Sequence, residues 1–151
     1  MSAHDRLAAL GLELPAVPTP AAAYRPWSRT GDWIHTAGQL PMVDGSLAQT
    51  GRLGGELDTE EGARLAGIAA LNVLAVLDAA AGLDDIRVVK LTVFVASTSD
   101  FDQQHLVANG ASQRIGDVLG ERGLHARSAV GVAQLPLSSP VEVEAIAVVE
   151  H

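Results

Sequence analysis

The side chains best suited to chemistry lie near the C-terminal end of the chain. Arg127 begins the apolar segment ARSAVGV, and Glu142 and Glu144 stand two positions apart in VEVEAIAVV. A guanidinium can bind a small carboxylate through two parallel charge-assisted hydrogen bonds. Two carboxyl groups on one face of a strand repel each other, so one of them can hold its proton above about pH 4. Once ionised, such a carboxylate can act on water as a general base. The plain alternative for all three is a solvated side chain on a strand surface.

Other polar groups carry weaker patterns. Tyr24 is the only tyrosine, and packing of its ring explains it as well as a site does. The five histidines lack the HxH or HExxH spacing of a metal site, so we expect no metal, and we expect His125 at the surface. No serine has the G-x-S-x-G setting of a hydrolase nucleophile, and GRLGG at 51–55 lacks the lysine of a phosphate loop.

Composition limits the classes of function. The chain has 151 residues, of which 48% are hydrophobic, and this suffices for one domain with a buried core. It has no cysteine, which excludes disulfides, thiolate metal ligands and cysteine nucleophiles. The net charge of −8 argues against a nucleic-acid surface, which needs clustered lysine and arginine. We see no run of about 18 apolar residues and no secretory segment, so we expect a cytoplasmic protein without membrane contact.

Turn and capping residues predict an alternation of strands and helices. Thr30-Gly31-Asp32 is typical of a hairpin turn, and Asp58 with Glu61 is typical of a helix N-terminus. Ser99 is the expected cap of a second helix, which Gly110 weakens by about 1 kcal/mol relative to alanine, enough to allow a break there. The expected elements are short helical turns at 6–12, a hairpin within 27–37, a turn at 44–45, a helix over 58–82, a strand over 86–96, a helix from 100 or 101 to 119, and strands over 126–133 and 141–149.

Alternation along the strands predicts an α+β fold with two helices on one face of a sheet. The expected faces of the last strand are Val141, Val143, Ala145, Ala147 and Val149 on one side, and Glu142, Glu144, Ile146 and Val148 on the other. In the strand over 86–96 the same reasoning places Val89 with Leu91 and Val88 with Lys90. Two helices cover only one face, and a partly apolar uncovered face predicts self-association.

Strand spacing bears on whether Arg127 and Glu142 can meet. If 126–133 and 141–149 form one hairpin, position 127 faces position 147 and Glu142 lies about 17 Å further along the strand. A direct contact inside such a hairpin is therefore not expected. A pocket that contains both side chains would have to lie between subunits.

Three segments resemble the Rid (reactive intermediate deaminase, YjgF-like) family, whose members are also named endoribonuclease L-PSP. They are HTAGQLP at 35–41, LNVLAVLDAAAG at 71–82 and, most specifically, ARSAVGVAQLPLSSPVEVEAIAVV at 126–149. The lead-in LPAVPTPAAAY and the segments NGAS and GLHARSAVG resemble a less characterised subgroup. The resemblance implies a chorismate-mutase-like α+β domain over 24–151 after an extended, proline-rich lead-in over 1–23. It also implies a homotrimer with a central β-barrel and pockets between subunits.

The same resemblance implies an activity that needs no cofactor. It is the hydrolysis of 2-imino or enamine acids, such as 2-aminoacrylate, to a 2-keto acid and ammonia. By this likeness Arg127 binds the substrate carboxylate, Glu142 acts on water, and Tyr24 and Gly38 contact the substrate.

Two positions of the implied pocket depart from the family pattern. The usual serine before Gly38 is Ala37, and the cysteine often found two residues after Arg127 is Ala129. These changes remove a hydroxyl and a thiol from the pocket wall. A non-catalytic module that binds a small carboxylate is therefore the alternative to an enzyme. A ribonuclease is the least favoured reading, because the chain is acidic and lacks a basic or aromatic patch.

Overall fold

Strands and helices alternate through the part of the chain that the computed structural model describes, residues 1–17, 19 and 22–151. The helices are α1 (Ala3–Ala9), α2 (Thr59–Ala81) and α3 (Gln104–Leu119). The strands are β1 (Trp27–Thr30), β2 (Trp33–Thr36), β3 (Met42–Val43), β4 (Ser46–Leu47), β5 (Ile86–Ala96), β6 (Ala126–Val132) and β7 (Val141–Val149). Short 3₁₀ turns occupy Leu83–Asp85, Gly120–Gly123 and Pro136–Ser138.

Five of these strands form one mixed sheet in the order β1-β2-β7-β5-β6. β5 and β6 run parallel, joined by α3, and the other pairs are antiparallel. This confirms the expected α+β class with α2 and α3 against one face. The supposed hairpin of the last two strands is wrong, because β5 lies between β6 and β7. The link after β6 therefore carries the chain from the edge of the sheet to its centre.

The long helix α2 begins and ends as its sequence predicts. The Asp58 carboxylate accepts a hydrogen bond of 2.9 Å from the Glu61 backbone N–H, and Gly82 ends the helix with φ of 83°. Among the described residues α2 is also long and apolar enough to cross a membrane, with mean hydropathy 1.6 over its most apolar window. Within the domain, 61% of that window is buried, as in a core helix.

The helix α3 starts later than predicted, with Gln103 rather than Ser99 at its N-cap. The backbone N–H of Ser97 donates to Val132 and that of Thr98 to Leu53, at 3.0 and 2.9 Å. These bonds keep the chain extended beyond the end of β5. The residues at 97–100 therefore do not cap α3. They form hydrogen bonds within the loop, where the Thr98 hydroxyl donates to the Asp100 carboxylate at 2.9 Å.

Gly110 does not break α3, which runs unbroken through it. A Cβ at this position would lie 2.6 Å from the carbonyl carbon and 2.9 Å from the Cα of Ala63 in α2. On the other helix, a Cβ at Gly67 would lie 3.4 Å from the Gly110 carbonyl oxygen. Glycine is present here because the two helix backbones touch.

A β-bulge in β5 corrects the predicted faces of that strand. The register passes from Val88 opposite Ala147 to Lys90 opposite Ile146, so one residue of β5 is extra. Val88 therefore shares the buried, helix-covered face with Leu91, and both are fully buried. Simple alternation had placed Val88 with Lys90, because it cannot detect an inserted residue.

The two faces of β7 follow the prediction. Its residues from Val141 to Ala147 at odd positions are buried against the helices, and Glu142, Glu144, Ile146 and Val148 occupy the opposite face. That opposite, open face also carries Trp33 on β2 and Val130 on β6, with 48% and 42% of their surface exposed. No described element covers it, and its burial against other copies of the chain stays a prediction.

The N-terminal segment contains a helix that begins earlier than the predicted 6–12. Ser2 and Asp5 form a reciprocal capping box, with bonds of 2.9 and 3.0 Å, which starts α1 at Ala3. Ala3 and Leu7 are buried in the main core. Of the proline-rich lead-in, positions 18, 20 and 21 lie outside the described residues, and the domain boundary at 24 stays a prediction.

The contact between α2 and α3 yields a matched pair of stability variants. Gly110→Ala should destabilise the protein by about 1–3 kcal/mol, because its methyl group must push the two helices apart. Gly116→Ala lies on the same helix with nothing within 4 Å of the new methyl group. It should stabilise the protein by about 0.5–1 kcal/mol through helix propensity alone.

Urea unfolding at one fixed protein concentration measures both variants against the wild type. Equal stabilisation by the two substitutions would contradict a close helix contact at Gly110.

Candidate functional site

The guanidinium of Arg127 is held by the helix that crosses its strand. Arg127 is half-buried on β6, and its Nη1 donates to Asn109 Oδ1 at 2.9 Å and to Ser112 Oγ at 3.1 Å. Its Nη2 donates to the backbone carbonyl of His105 at 3.2 Å. A guanidinium has five N–H groups in one plane. Nε–H and one Nη2–H therefore have no acceptor in the described part of the chain, and they remain available to an anion.

His125 belongs to the same cluster, which corrects its expected place at the surface. The residue is half-buried, and its Nε2 lies 2.9 Å from Ser112 Oγ while its Nδ1 lies 2.6 Å from the Gly123 carbonyl oxygen. NGAS and GLHARSAVG are separate segments of the sequence, and no local pattern predicts that they meet. The fold brings Asn109 and Ser112 of the first against His125 and Arg127 of the second, and we call these four residues the arginine cluster.

An open cleft of about 450 Å³ lies beside this cluster. Its lining residues are Ser112, Gly116, Gly123, Leu124, His125 and Arg127. The cluster therefore borders space that a small molecule can enter.

Glu142 lies on the open face of the sheet, opposite Phe94 of β5. It is half-buried, and its carboxylate has no hydrogen-bond or ion-pair partner among the described residues. Burial, and then the like charge of Glu144, raise the pKa of Glu142 above its ordinary value of 4.5. A carboxyl group shifted in this direction is a stronger base once it is ionised. No group of three or more His, Asp or Glu side chains within the described residues could hold a metal ion.

Gly38 lies directly against the Glu142 side chain. After β2, Gln39 pairs with Val143 through two backbone bonds of 2.8 and 2.9 Å, and the Thr36 hydroxyl accepts from Ala145 N–H at 3.0 Å. These bonds hold the intervening loop along β7. A Cβ at Gly38 would lie 2.8 Å from Glu142 Cδ and would overlap the carboxylate. Only glycine leaves the carboxylate where it is, and we call Gly38 and Glu142 the carboxylate cluster.

Ala37, Ala129 and Tyr24 are the remaining predicted site residues. Ala37 adjoins Gly38, and its N–H donates to the Pro26 carbonyl at 2.8 Å. Ala129 packs partly against the core on the same side of β6 as Arg127. Tyr24 has 59% of its surface exposed and forms no side-chain hydrogen bond within the described residues.

One chain does not bring Arg127 and Glu142 together. Arg127 is level with Leu91 of β5 and Glu142 with Phe94, three residues further along, and the two belong to strands on either side of β5. Their backbones are thus offset by about 10 Å along the strands and about 10 Å across them. Arg127 points towards α3, whereas Glu142 points to the open face. Each chain therefore carries the two clusters on opposite faces of its sheet.

The electrostatics of Glu142 predict a pH-dependent stability. Its raised pKa means that ionisation costs the folded state more free energy than the unfolded chain. As pH rises from 4.5 through the raised pKa, the wild type should lose stability relative to Glu142→Gln, which cannot ionise. Urea unfolding of both proteins between about pH 4 and pH 8 measures this difference.

Glu144→Gln separates the two causes of the shift. Because burial is the larger cause, the Glu142 pKa measured by carboxyl ¹³C NMR should fall in this variant but stay above 4.5. A stability difference that does not change with pH would contradict the raised pKa.

The sequence and fold match known proteins over almost the whole domain. Residues 15–149 match the family described as Endoribonuclease L-PSP. Protein TCP17 of Trypanosoma cruzi is 49% identical over 140 residues, which are 91% of this chain and 88% of TCP17. A 2-iminobutanoate/2-iminopropanoate deaminase of Dermatophagoides farinae is 31% identical over 143 residues, covering 92% of this chain and 95% of that protein. The crystal structure of Atu1372, a protein of unknown function from Agrobacterium tumefaciens, is 45% identical with a TM-score of 0.91, covering 98% of this chain and 92% of that one.

These matches include the segments that hold both clusters, from Gly38 to Glu142. They confirm the family resemblance inferred from the C-terminal motif. The chain is a member of the endoribonuclease L-PSP (YjgF) family.

Proposed function

We propose that this protein hydrolyses 2-imino or enamine acids to 2-keto acids and ammonia. The observation that supports this most directly is the arrangement of Arg127, which α3 holds by three hydrogen bonds while two N–H donors stay available. A planar carboxylate on a small substrate matches such a pair of donors. The relative named as a 2-iminobutanoate/2-iminopropanoate deaminase supports the same class of substrate.

Arg127 orients the substrate, and Glu142 handles the protons. Fixing the carboxylate fixes the adjacent imine carbon relative to a water molecule. Glu142 takes a proton from that water as the water oxygen bonds to the imine carbon, the C=N π bond breaks, and the same proton passes to the nitrogen, which gives a carbinolamine. Glu142 then takes the hydroxyl proton of the carbinolamine and delivers it to the nitrogen, so that the C–N bond breaks, ammonia leaves and the carbonyl forms. Imines hydrolyse readily in water, so positioning supplies much of the acceleration.

The reaction needs two copies of the chain in this proposal. Because Arg127 and Glu142 lie on opposite faces of one sheet, the carboxylate that completes the pocket comes from a neighbouring subunit. A homotrimer with the sheets around a central barrel would bury the open face and its exposed Trp33 and Val130. Burial of an apolar face of this kind favours assembly.

A second candidate is a trimer that binds a small carboxylate without turning it over. Ala37 and Ala129 favour it, since they leave the walls near both clusters without a hydroxyl or a thiol. A ribonuclease activity receives no comparable support, because a net charge of −8 repels the phosphate backbone.

Removal of the carboxylate-binding group tests the proposal. Arg127→Ala should lower the hydrolysis of 2-imino acids by about 100-fold or more, because the substrate loses its orientation. The imine is produced in situ by a 2-amino acid oxidase, and its loss is followed for several side chains. Arg64→Ala is the matched control, since Arg64 pairs with Glu61 on the outer surface of α2 at 2.7 Å.

Both variants should keep the wild-type sedimentation behaviour. Full activity in Arg127→Ala would remove this residue from the site, and a wild type that sediments as single chains would end the proposal.

Changes at the carboxylate cluster distinguish an enzyme from a binding module. Glu142→Gln should lower turnover by about 10²–10⁴-fold, because the general base is lost. It should keep the affinity for a 2-keto acid, because Arg127 still binds the carboxylate. Gly38→Ala should have a similar, smaller effect with little change in stability, since only the flexible end of Glu142 must move. A binding module would instead change its affinity alone, as measured by calorimetry.

A further inference from the structure

We infer that Ser112 and His125 are positioning residues, which orient the Arg127 guanidinium for an incoming carboxylate through one directed chain of hydrogen bonds. The chain runs from the Gly123 carbonyl through the imidazole and the Ser112 hydroxyl to Nη1 of Arg127. This inference rests on the proposed function, in which Arg127 binds the substrate carboxylate.

The groups at the two ends of this series of hydrogen bonds determine which atom donates in each bond. The Gly123 carbonyl only accepts, so Nδ1 of His125 carries the proton in the bond of 2.6 Å. In the neutral imidazole Nε2 then accepts, and the Ser112 hydroxyl donates to it at 2.9 Å. The hydroxyl has one proton, so its lone pairs face Arg127 and accept from Nη1 at 3.1 Å.

Loss of His125 would release this hydroxyl. A serine inside a helix can turn its proton to the carbonyl four residues earlier, which leaves its lone pairs pointing elsewhere. Ser112 would then accept from Arg127 less well, and Nη1 would keep only Asn109 as an oriented partner. His125 thus acts on the guanidinium through Ser112 and without touching it.

The Gly123 carbonyl, where this series of hydrogen bonds begins, is held in a rigid position. Gly123 is buried, and a Cβ there would lie 2.8 Å from the Ile115 carbonyl oxygen in α3. The 3₁₀ turn Gly120–Gly123 is therefore held against the helix that also carries Ser112. A fixed carbonyl gives the imidazole one orientation, which it passes to the hydroxyl.

The position of these hydrogen-bonded side chains indicates a role in ligand binding as well as in folding. Ser112, His125 and Arg127 all line the same open cleft of about 450 Å³. Ser112 and Asn109 both accept hydrogen bonds from Nη1 of Arg127. These contacts leave the Nε–H side of the guanidinium free to bind a carboxylate.

Three single variants and one double variant test the inference. Ser112→Ala removes the link to Arg127, and His125→Asn keeps a donor for Gly123 but cannot reach Ser112. Each should weaken the binding of 2-oxobutanoate about fivefold, the loss expected for one hydrogen bond. His125→Gln places an acceptor near the position of Nε2 and should restore most of the affinity. For the imine substrate we expect a matching rise in KM with kcat nearly unchanged.

The double variant Ser112→Ala/His125→Asn separates positioning from general support of the fold. If His125 acts only through Ser112, the double variant binds as the single variants do. Multiplied losses in the double variant would overturn the inference, as would wild-type affinity in Ser112→Ala. Circular dichroism and sedimentation check that each variant folds and assembles as the wild type does.

A direct measurement on Arg127 decides the inference even if the proposed activity fails. Arginine-selective ¹⁵N and ¹³C labelling reports the rotation of the guanidinium by NMR. Rotation should be slow in the wild type and in His125→Gln, and faster in Ser112→Ala and His125→Asn. Equal rotation in all four overturns the inference, whereas a wild type that neither binds 2-oxobutanoate nor turns over imines overturns the proposed function alone.

Discussion

The contact between the backbones of α2 and α3 at Gly110 and Ala63 positions the helix that holds Arg127. A glycine at the crossing lets α3 lie close to α2, and this sets how α3 sits over the sheet. Asn109 and Ser112 flank that glycine on α3, and both accept hydrogen bonds from Arg127 on β6. The packing of two helices and the orientation of a guanidinium are therefore parts of one arrangement, and a shift of α3 would disturb both.

The two candidate side chains, Arg127 and Glu142, lie on opposite faces of the sheet. Strand side chains alternate, so Arg127 meets the helices while Glu142 meets the open face with Glu144. The arginine is satisfied by several acceptors and keeps two donors available. The glutamate is half-buried beside a like charge, and burial and this charge both raise its pKa. Its carboxylate has no hydrogen-bond partner in the described part of the chain. The proposed carboxylate-binding arginine and the proposed general base thus lie in different surroundings, and the proposed assembly would bring them together.

Gly110 and Gly38 are both required to be glycine, but for different reasons. At Gly110 it allows two backbones to touch, so an added methyl group meets rigid atoms. At Gly38 it leaves room for the flexible end of Glu142, so an added methyl group displaces a side chain and leaves the backbone pairing of Gln39 with Val143 in place. Glycine therefore allows helix packing at Gly110, and in the loop beside β7 it leaves room for a side chain of the candidate site.

The sequence alone determined the features that depend on near neighbours. Asp58 and Gly82 bounded α2, the turn at 30–32 gave the first hairpin, and alternation in 141–149 assigned both faces of β7. The family resemblance read from the sequence is confirmed over residues 15–149, and the roles it implies for Arg127, Glu142 and Gly38 stay predictions. Only the tertiary structure decided that β5 separates β6 from β7, that a bulge shifts Val88 to the buried face, and that Ser112 and His125 meet beside Arg127. Those outcomes depend on contacts between segments far apart in the chain, and local periodicity holds no information about such contacts.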